Sequence, residues 1–286
     1  MYYDEFEGRL KAALEEHLDT EVEVRPEKKI KNNGVIYHGL VFLKKGSNMA
    51  PIIFLDSYFE AYQNETSFSQ ILEDVLATYK KAKNASCTNA EQLFSFEANK
   101  DKIVYRLVNY KLNKEALKER PHIPYLDLAI VFDILVEATD KGMASIPIQY
   151  KLLELWEKNS NEIYGLAKKN TKRELPVQLQ YNTYDGPFGN LSISFYILSN
   201  NPHQNGAACI LYDDVLNTLG EALQENFYVI PSSIHETLII SEHDAKGMSL
   251  SDMIQAVNEM AVLDTEILSD HPYYYNRKTL SLTCAM

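Results

Sequence analysis

Two hydroxyls, an imidazole and a carboxylate crowd into Pro231-Ser232-Ser233-Ile234-His235-Glu236. Serine and histidine together can supply a nucleophile and its general base, with a carboxylate to orient the imidazole, provided the side chains come within hydrogen-bond reach. On an extended segment Ser233 and His235 point to the same side. No glycine-flanked elbow of the G-x-S-x-G kind surrounds either serine. The plainer reading has Ser232 and Ser233 satisfying the backbone of a turn after Pro231, with His235 and Glu236 opening a strand. Polar clusters on loops at strand ends meet ligands, so Ser232, Ser233, His235 and Glu236 are expected to serve binding before catalysis.

The other reactive types are dispersed. His235-Glu236-Thr237-Leu238-Ile239 begins like the zincin signature H-E-x-x-H but has isoleucine where the second histidine must stand, in a strand-like run. His203, His243 and His271 are loop histidines with aspartates nearby, and sequence gives no sign that they converge on a metal with His235. Asp19, Glu27 and Lys29 have the residue types of a magnesium-dependent nuclease, and charged residues on a solvated hairpin explain them better. Neither G-x-G-x-x-G nor G-x-x-x-x-G-K-[ST] occurs, and Pro187 in Gly186-Pro187-Phe188-Gly189 lacks the N–H that a phosphate cradle needs. No metal site and no cofactor are therefore expected. Cys209 lies in an apolar run and reads as inert core, whereas Cys87 sits in a polar stretch and reads as the thiol open to reaction.

The elements that must position the 231–236 turn surround it in the chain. Residues 207–211 read as a strand; Val215, Leu216, Leu219 and Leu223 follow at helical spacing; residues 227–230 and 238–240 read as two further strands. Upstream, Tyr3, Phe6, Leu10, Leu14 and Leu18 mark an amphipathic helix. Residues 21–24 and 35–43 form a hairpin across Asn32-Asn33-Gly34, residues 50–55 a third strand, and Ser67 with Gln70 caps a helix carrying Ile71, Leu72, Val75, Leu76 and Tyr79. Polar residues 83–92 separate two portions, 1–85 and 93–286. In the second, Ile103, Leu107 and Tyr110 predict a helix, residues 126–136 and 143–148 a strand hairpin, and Leu152 to Ala167 two helices broken at Asn159-Ser160. Residues 176–189 read as a long loop of a kind that often serves function. Ser249 and Asp252 cap a helix with Met253, Val257 and Met260 on one face, and three consecutive tyrosines, Tyr273 to Tyr275, close over a core. The class is α+β, with a mostly antiparallel or mixed sheet.

Composition bounds the function. The chain has 286 residues, 45% of them hydrophobic, and 40 acidic against 28 basic side chains, for a net charge of -12. Such a balance opposes nucleic-acid phosphates and anionic membrane surfaces. Three scattered cysteines suggest neither a disulfide framework nor a cysteine zinc site and favour a reducing cytosol. The acidic beginning Met1-Tyr2-Tyr3-Asp4-Glu5 differs from a signal peptide, and no apolar run reaches the roughly 20 residues of a membrane span.

The segments Asn109-Tyr110 to Asn113, Pro121-His122, Leu126-Asp127-Leu128-Ala129, Asn205-Gly206-Ala207-Ala208, Ile230-Pro231-Ser232-Ser233-Ile234-His235-Glu236 and Leu268-Ser269-Asp270 with Tyr273-Tyr274-Tyr275 occur together. In that combination the chain resembles, over nearly its whole length, a bacterial family common in gut anaerobes and known only as a domain of unknown function. More loosely, the strand-helix-strand ending in Pro-Ser is similar to a second uncharacterised family of small cytosolic proteins. The resemblance implies a bacterial cytosolic protein and brings no activity with it. The expectation is a binding or regulatory module whose protein or small-molecule partner meets residues 231–236 and the 181–189 loop. A hydrolase or transferase using Ser233 and His235 is the alternative.

Overall fold

The computed structural model describes residues 2–46, 50–84, 94–139, 142–185 and 192–285. Among them lie helices and three antiparallel sheets, an α+β fold. The chain folds into two compact units, one of residues 1–31 and 35–92, the other of residues 32–34 and 93–286.

In the first unit, α1 (Tyr3–His17) buries Phe6, Leu10 and Leu14, one apolar residue per turn, and carries Asp4 and Glu5 at its N-terminal end, where acidic groups complement the helix dipole. Strands β1 (Val22–Ile30), β2 (Ile36–Lys44) and β3 (Ile52–Phe54) pair antiparallel in that order. Helix α2 (Asp56–Gln63) buries no residue completely, so its apolar positions leave no clear stripe. Helix α3 (Phe68–Asn84) starts where expected, with Gln70 N–H donating to Ser67 Oγ at 3.3 Å. Its Tyr79 stacks on Phe42 at 4.5 Å in a core shared with Leu40, Leu55 and Val75.

The second unit opens with α4 (Phe96–Asn99) and strand β4 (Ile103–Asn109), where the Ile103, Leu107, Tyr110 spacing predicts a helix. Ile103 and Leu107 also fit period 2, and Tyr110 lies just past the strand's end. Ile103, Val104, Tyr105, Leu107 and Val108 are all buried, so the strand is covered on both faces and shows no alternation. Strands β5 (His122–Tyr125) and β6 (Leu128–Thr139) are joined by the two-residue turn Leu126-Asp127, with Leu126 at φ 55°, so the strand expected from residue 126 starts at Leu128. β6 pairs β4 on one side, and β5 then β7 (Gly142–Pro147) on the other.

Helices α5 (Tyr150–Trp156) and α6 (Ser160–Glu174) break at Asn159 as expected. A capping box is the cause: Glu162 N–H donates to Asn159 Oδ1 at 3.1 Å and Asn159 N–H to Glu162 Oε2 at 3.0 Å.

The second sheet of this unit has the order β13-β12-β10-β11-β9-β8, antiparallel throughout, from β8 (Val177–Asp185), β9 (Ser192–Asn200), β10 (Phe227–Ile230), β11 (Thr237–Ser241), β12 (Tyr273–Asn276) and β13 (Ser281–Cys284). Residues 176–185, expected as loop, are thus mostly an edge strand. Val177, Leu179 and Tyr181 alternate with Gln178, Gln180 and Asn182, a period-2 pattern whose apolar face is exposed. Residues 186–189 of that expected loop lie outside the described residues, as does Cys87.

Residues 207–211 form part of a buried 3₁₀ helix, Gly206–Leu211, rather than a strand. Four small residues open it, which lets the turn pack directly on β9, with Cys209 Sγ donating to Ser199 O at 3.1 Å. Burial pushes the Cys209 thiol up to about 12, matching inert core. Helix α7 (Val215–Leu223) and strands β10 and β11 follow as expected.

Gly206 has no room for a side chain. A Cβ there would meet Ser199 Oγ and stand 2.5 Å from His235 O and 2.8 Å from Asn200 N. Gly206→Ala is expected to cost about 1–3 kcal/mol, because two of the three neighbours are backbone atoms that must shift. Chemical denaturation of the purified variant reads this directly, and an unchanged midpoint would contradict it.

Candidate functional site

The turn that sequence chemistry singles out lies between β10 and β11, and the fold clamps it from three directions. Ser233 Oγ accepts from the backbone N–H of His235 at 3.0 Å, and Ser233 N–H donates to Glu236 O at 3.3 Å. Ile234 N–H donates to Glu266 O at 2.8 Å, and Ser199 Oγ donates to His235 O at 2.8 Å. The imidazole is held on both nitrogens. Its Nδ1 accepts from Asn205 N–H at 3.2 Å, and its Nε2 lies 3.3 Å from Glu266 Oε1. An accepting Nδ1 leaves the ring proton on Nε2, directed at the Glu266 carboxylate.

This arrangement brings Ser233 and His235 together through backbone, not through a shared side-chain hydrogen bond. The carboxylate that orients the imidazole is Glu266, thirty-one residues on, rather than Glu236. With Nδ1 taken by the Asn205 N–H and Nε2 facing Glu266, the ring has no lone pair aimed at a serine, so the geometry gives no support to a Ser-His nucleophile. Ser232, Ser233, His235 and Glu236 are all half-buried.

Beside the turn lies an apolar cleft of about 80 Å³ lined by Ile230, Pro231, Ser232, Leu238, Ile240, Met253, Ile254, Val257 and Asn258. Helix α8 (Leu250–Met260) forms its far wall. Leu250 and Ile254 anchor the helix in a small core with Ile230 and Ile240. The expected stripe stays open to solvent: Met253, Val257 and Met260 are 45%, 42% and 79% exposed.

A second group of reactive side chains assembles from distant parts of the chain. Among the described residues, Asp127, His271 and Cys284 place a carboxylate oxygen, an imidazole nitrogen and a thiol sulfur within 4.8 Å of one another. Asp127 is held by Tyr273 Oη, donating to Oδ1 at 2.7 Å, and by Ser269 Oγ, donating to Oδ2 at 2.9 Å. Register explains the cysteine: Cys284 of β13 is the cross-strand partner of Tyr273 in β12, so both side chains leave the same face of the sheet. Burial raises the Tyr273 hydroxyl above its ordinary range, and the adjacent Asp127 adds to the effect. Burial likewise raises the Cys284 thiol, again reinforced by Asp127. His271 Nδ1 lies 2.7 Å from Asp270 Oδ1, while Nε2 faces Asp127 Oδ1 at 3.7 Å.

Of the histidines weighed as dispersed ligands, His271 alone enters this group, and His203, His235 and His243 stay apart from it. The nuclease trio does not become a site: Lys29 makes an exposed ion pair with Glu27 at 2.9 Å on the β1 hairpin. The tyrosines do close over core, with Tyr273 and Tyr275 buried and Tyr275 stacked on Phe227 at 4.7 Å.

Fold and site thus define an α+β protein with a clamped turn beside an apolar cleft and a separate Asp-His-Cys group. The chain belongs to a family of unknown function, DUF5688, whose sequence model matches residues 3–277. Cys284 lies beyond the matched stretch, and Asp127 and His271 within it. No curated protein and no solved structure matches the chain. Among the described residues no helix is long and apolar enough to cross a membrane.

Proposed function

We propose that this chain is a binding module which receives one apolar side chain of a protein partner in the cleft beside the 231–236 turn. The observation that carries the reading is the unpartnered apolar wall: Met253 and Val257 line the cleft from α8 yet stay more than 40% exposed. Size decides the class of ligand. Sites for drug-sized molecules run to ~300–1,000 Å³, whereas about 80 Å³ admits a single side chain. Met260 extends the surface one turn further, and methionine adapts to irregular partners. A net charge of -12 favours a partner with basic residues around its apolar anchor. Ser232 at the rim gives the turn its part in recognition, and the clamped backbone around His235 keeps that rim preformed. Scattered cysteines, with Cys209 and Cys284 unpaired, support a reducing cytosol as the setting.

Selection of displayed peptides against the full-length chain tests this. The expected consensus is one leucine, methionine or phenylalanine flanked by lysine or arginine. Val257→Asp, on an exposed position, should weaken the selected peptide at least about tenfold by placing a carboxylate where an apolar contact was desolvated. Absence of an apolar consensus, or binding indifferent to Val257→Asp, would refute the cleft as the recognition surface.

A further inference from the structure

The Asp127, His271 and Cys284 group has the donor set and the supporting contacts of a transition-metal site, and nothing in the binding role of the cleft requires it. Each ligand type suits zinc: imidazole and thiolate are borderline-to-soft donors, and a carboxylate completes three protein ligands with a fourth position left for water or a bound group. The spacing is close to that needed. Two ligands of one tetrahedral zinc stand about 3.3–3.6 Å apart, from ordinary zinc–nitrogen, zinc–oxygen and zinc–sulfur distances. His271 Nε2 and Asp127 Oδ1 are 3.7 Å apart, and all three ligand atoms fall within 4.8 Å, so a side-chain rotation rather than backbone movement closes the set.

The surroundings argue more strongly than the distances. A metal-bound histidine donates its second ring N–H to a carboxylate, which fixes the tautomer and turns the other nitrogen's lone pair toward the ion. His271 has this arrangement, with Nδ1 at 2.7 Å from Asp270 and Nε2 turned toward Asp127. Asp127 is oriented by two hydroxyl donors, Tyr273 and Ser269, as ligating carboxylates are. Asp127 itself sits in the tight β5–β6 turn behind Leu126, whose positive φ is uncommon for a bulky residue and belongs with the strained positions found at functional sites. The alternative use of the same atoms, a cysteine nucleophile with His271 and Asp270 behind it, is disfavoured because the Asp127 carboxylate beside the sulfur opposes a free thiolate. A divalent cation reverses that repulsion.

We propose that Asp127, His271 and Cys284 bind one zinc ion per chain, with Asp270 orienting the imidazole. On binding, the Cys284 thiol loses its proton to solvent and the sulfur–metal bond forms. The fourth position, open in a three-ligand zinc site, would take a water or an anionic group.

The test uses the full-length chain stripped with chelator, then titrated with cobalt(II) and with zinc against a chromophoric competitor. The expected result is one metal per chain and a thiolate-to-cobalt charge-transfer band in the near ultraviolet. Cys284→Ser, at an exposed position, should abolish that band. Asp270→Asn alters a carboxylate that is 75% exposed and should weaken binding about 10–100-fold. Asp127→Asn and His271→Gln should weaken it further, while His203→Gln and His243→Gln bind as the parent does. Absence of the thiolate band in the parent, or Cys284→Ser and Asp270→Asn both binding like the parent, would overturn the site and leave only adventitious surface coordination. Selected-peptide binding is a separate readout, so failure here would leave the cleft untouched.

Discussion

Replacing Asp133 by asparagine is expected to destabilise the second unit by about 3–5 kcal/mol, the cost of breaking a buried ion pair from one side. Asp133 lies mid-β6 and is 2% exposed. Arg106 Nε donates to its Oδ2 at 2.9 Å and Arg120 Nη2 to its Oδ1 at 2.5 Å, so one carboxylate is the shared counter-charge of two guanidiniums. The Arg120 Nε is buried without a hydrogen-bond partner among the described residues, which makes this group still more dependent on its counter-charge. Asparagine matches the shape but brings an NH₂ against one guanidinium and no charge against either. Against a domain stability of ~5–15 kcal/mol, the loss is a large fraction of the whole. Guanidinium denaturation of Asp133→Asn measures it, and the triple change Arg106→Met, Arg120→Met, Asp133→Leu should recover much of the loss by removing the charges together. A cost under about 1 kcal/mol for the single change would mean the triad is solvated in solution.

The same triad sets a pH dependence with a defined sign. Burial alone would raise the Asp133 carboxyl, but Arg106 and Arg120 outweigh it and hold the group below the ordinary carboxylate range. A depressed folded-state pKa contributes stability above the unfolded value of about 3.9 and loses it as pH falls through the folded value. Stability of the parent should therefore decline below about pH 4, and Asp133→Asn should show a flatter curve there. Parallel acid-unfolding curves would exclude the triad as a source of the slope.

Helices with one apolar contact face were legible in sequence, as α1 and α3 show, because burying a single stripe forces a 3.6 period on residues such as Phe6, Leu10 and Leu14. Segments buried all round were not. The same burial that hides β4 on both faces erases the alternation that marks a strand, and the short apolar run 207–211 fits a strand and a buried 3₁₀ turn equally well until β9 is placed beside it. Of the two capping pairs read from the sequence, Ser67 accepts from the Gln70 N–H as expected, whereas Ser249 makes no bond to the backbone of α8 and its hydroxyl donates to the Asp252 carboxylate instead. The site divides along the same line. The 231–236 turn follows from Pro231 and the flanking strands, but what holds it, Asn205 and Glu266, comes from distant segments. Asp127 precedes His271 by 144 positions, and Cys284 follows by 13; the register of β12 and β13 brings Cys284 beside Tyr273, and Asp127 joins them through the Tyr273 and Ser269 hydroxyls. The local signal that existed was Ser269-Asp270-His271 two residues before a buried tyrosine.

Phe227→Ala is expected to cost about 3–5 kcal/mol, the range for emptying a buried aromatic site. Phe227 is fully buried, stacks on Tyr275 at 4.7 Å with ring planes 20° apart, and pairs across β10 with Ser241 on one side and Tyr275 on the other. Its neighbours are strands fixed by their own ladders, so they close over the lost ring only in part and a cavity remains. At ~2–4 °C per kcal/mol for a unit of this size, the melting temperature should fall by about 6–20 °C. β12 hangs on β10 by a three-residue ladder and carries Tyr273, which orients Asp127. The void therefore sits beneath the strand that assembles the Asp-His-Cys group. Scanning calorimetry reads the stability change, and cobalt titration of the same variant below its melting temperature reads the geometry. Phe227→Leu, which keeps more of the volume, should lie between parent and alanine in both measurements. An alanine variant melting within about 2 °C of the parent would show that the sheet repacks around the gap, and that the Phe227–Tyr275 stack does not hold β12 in place.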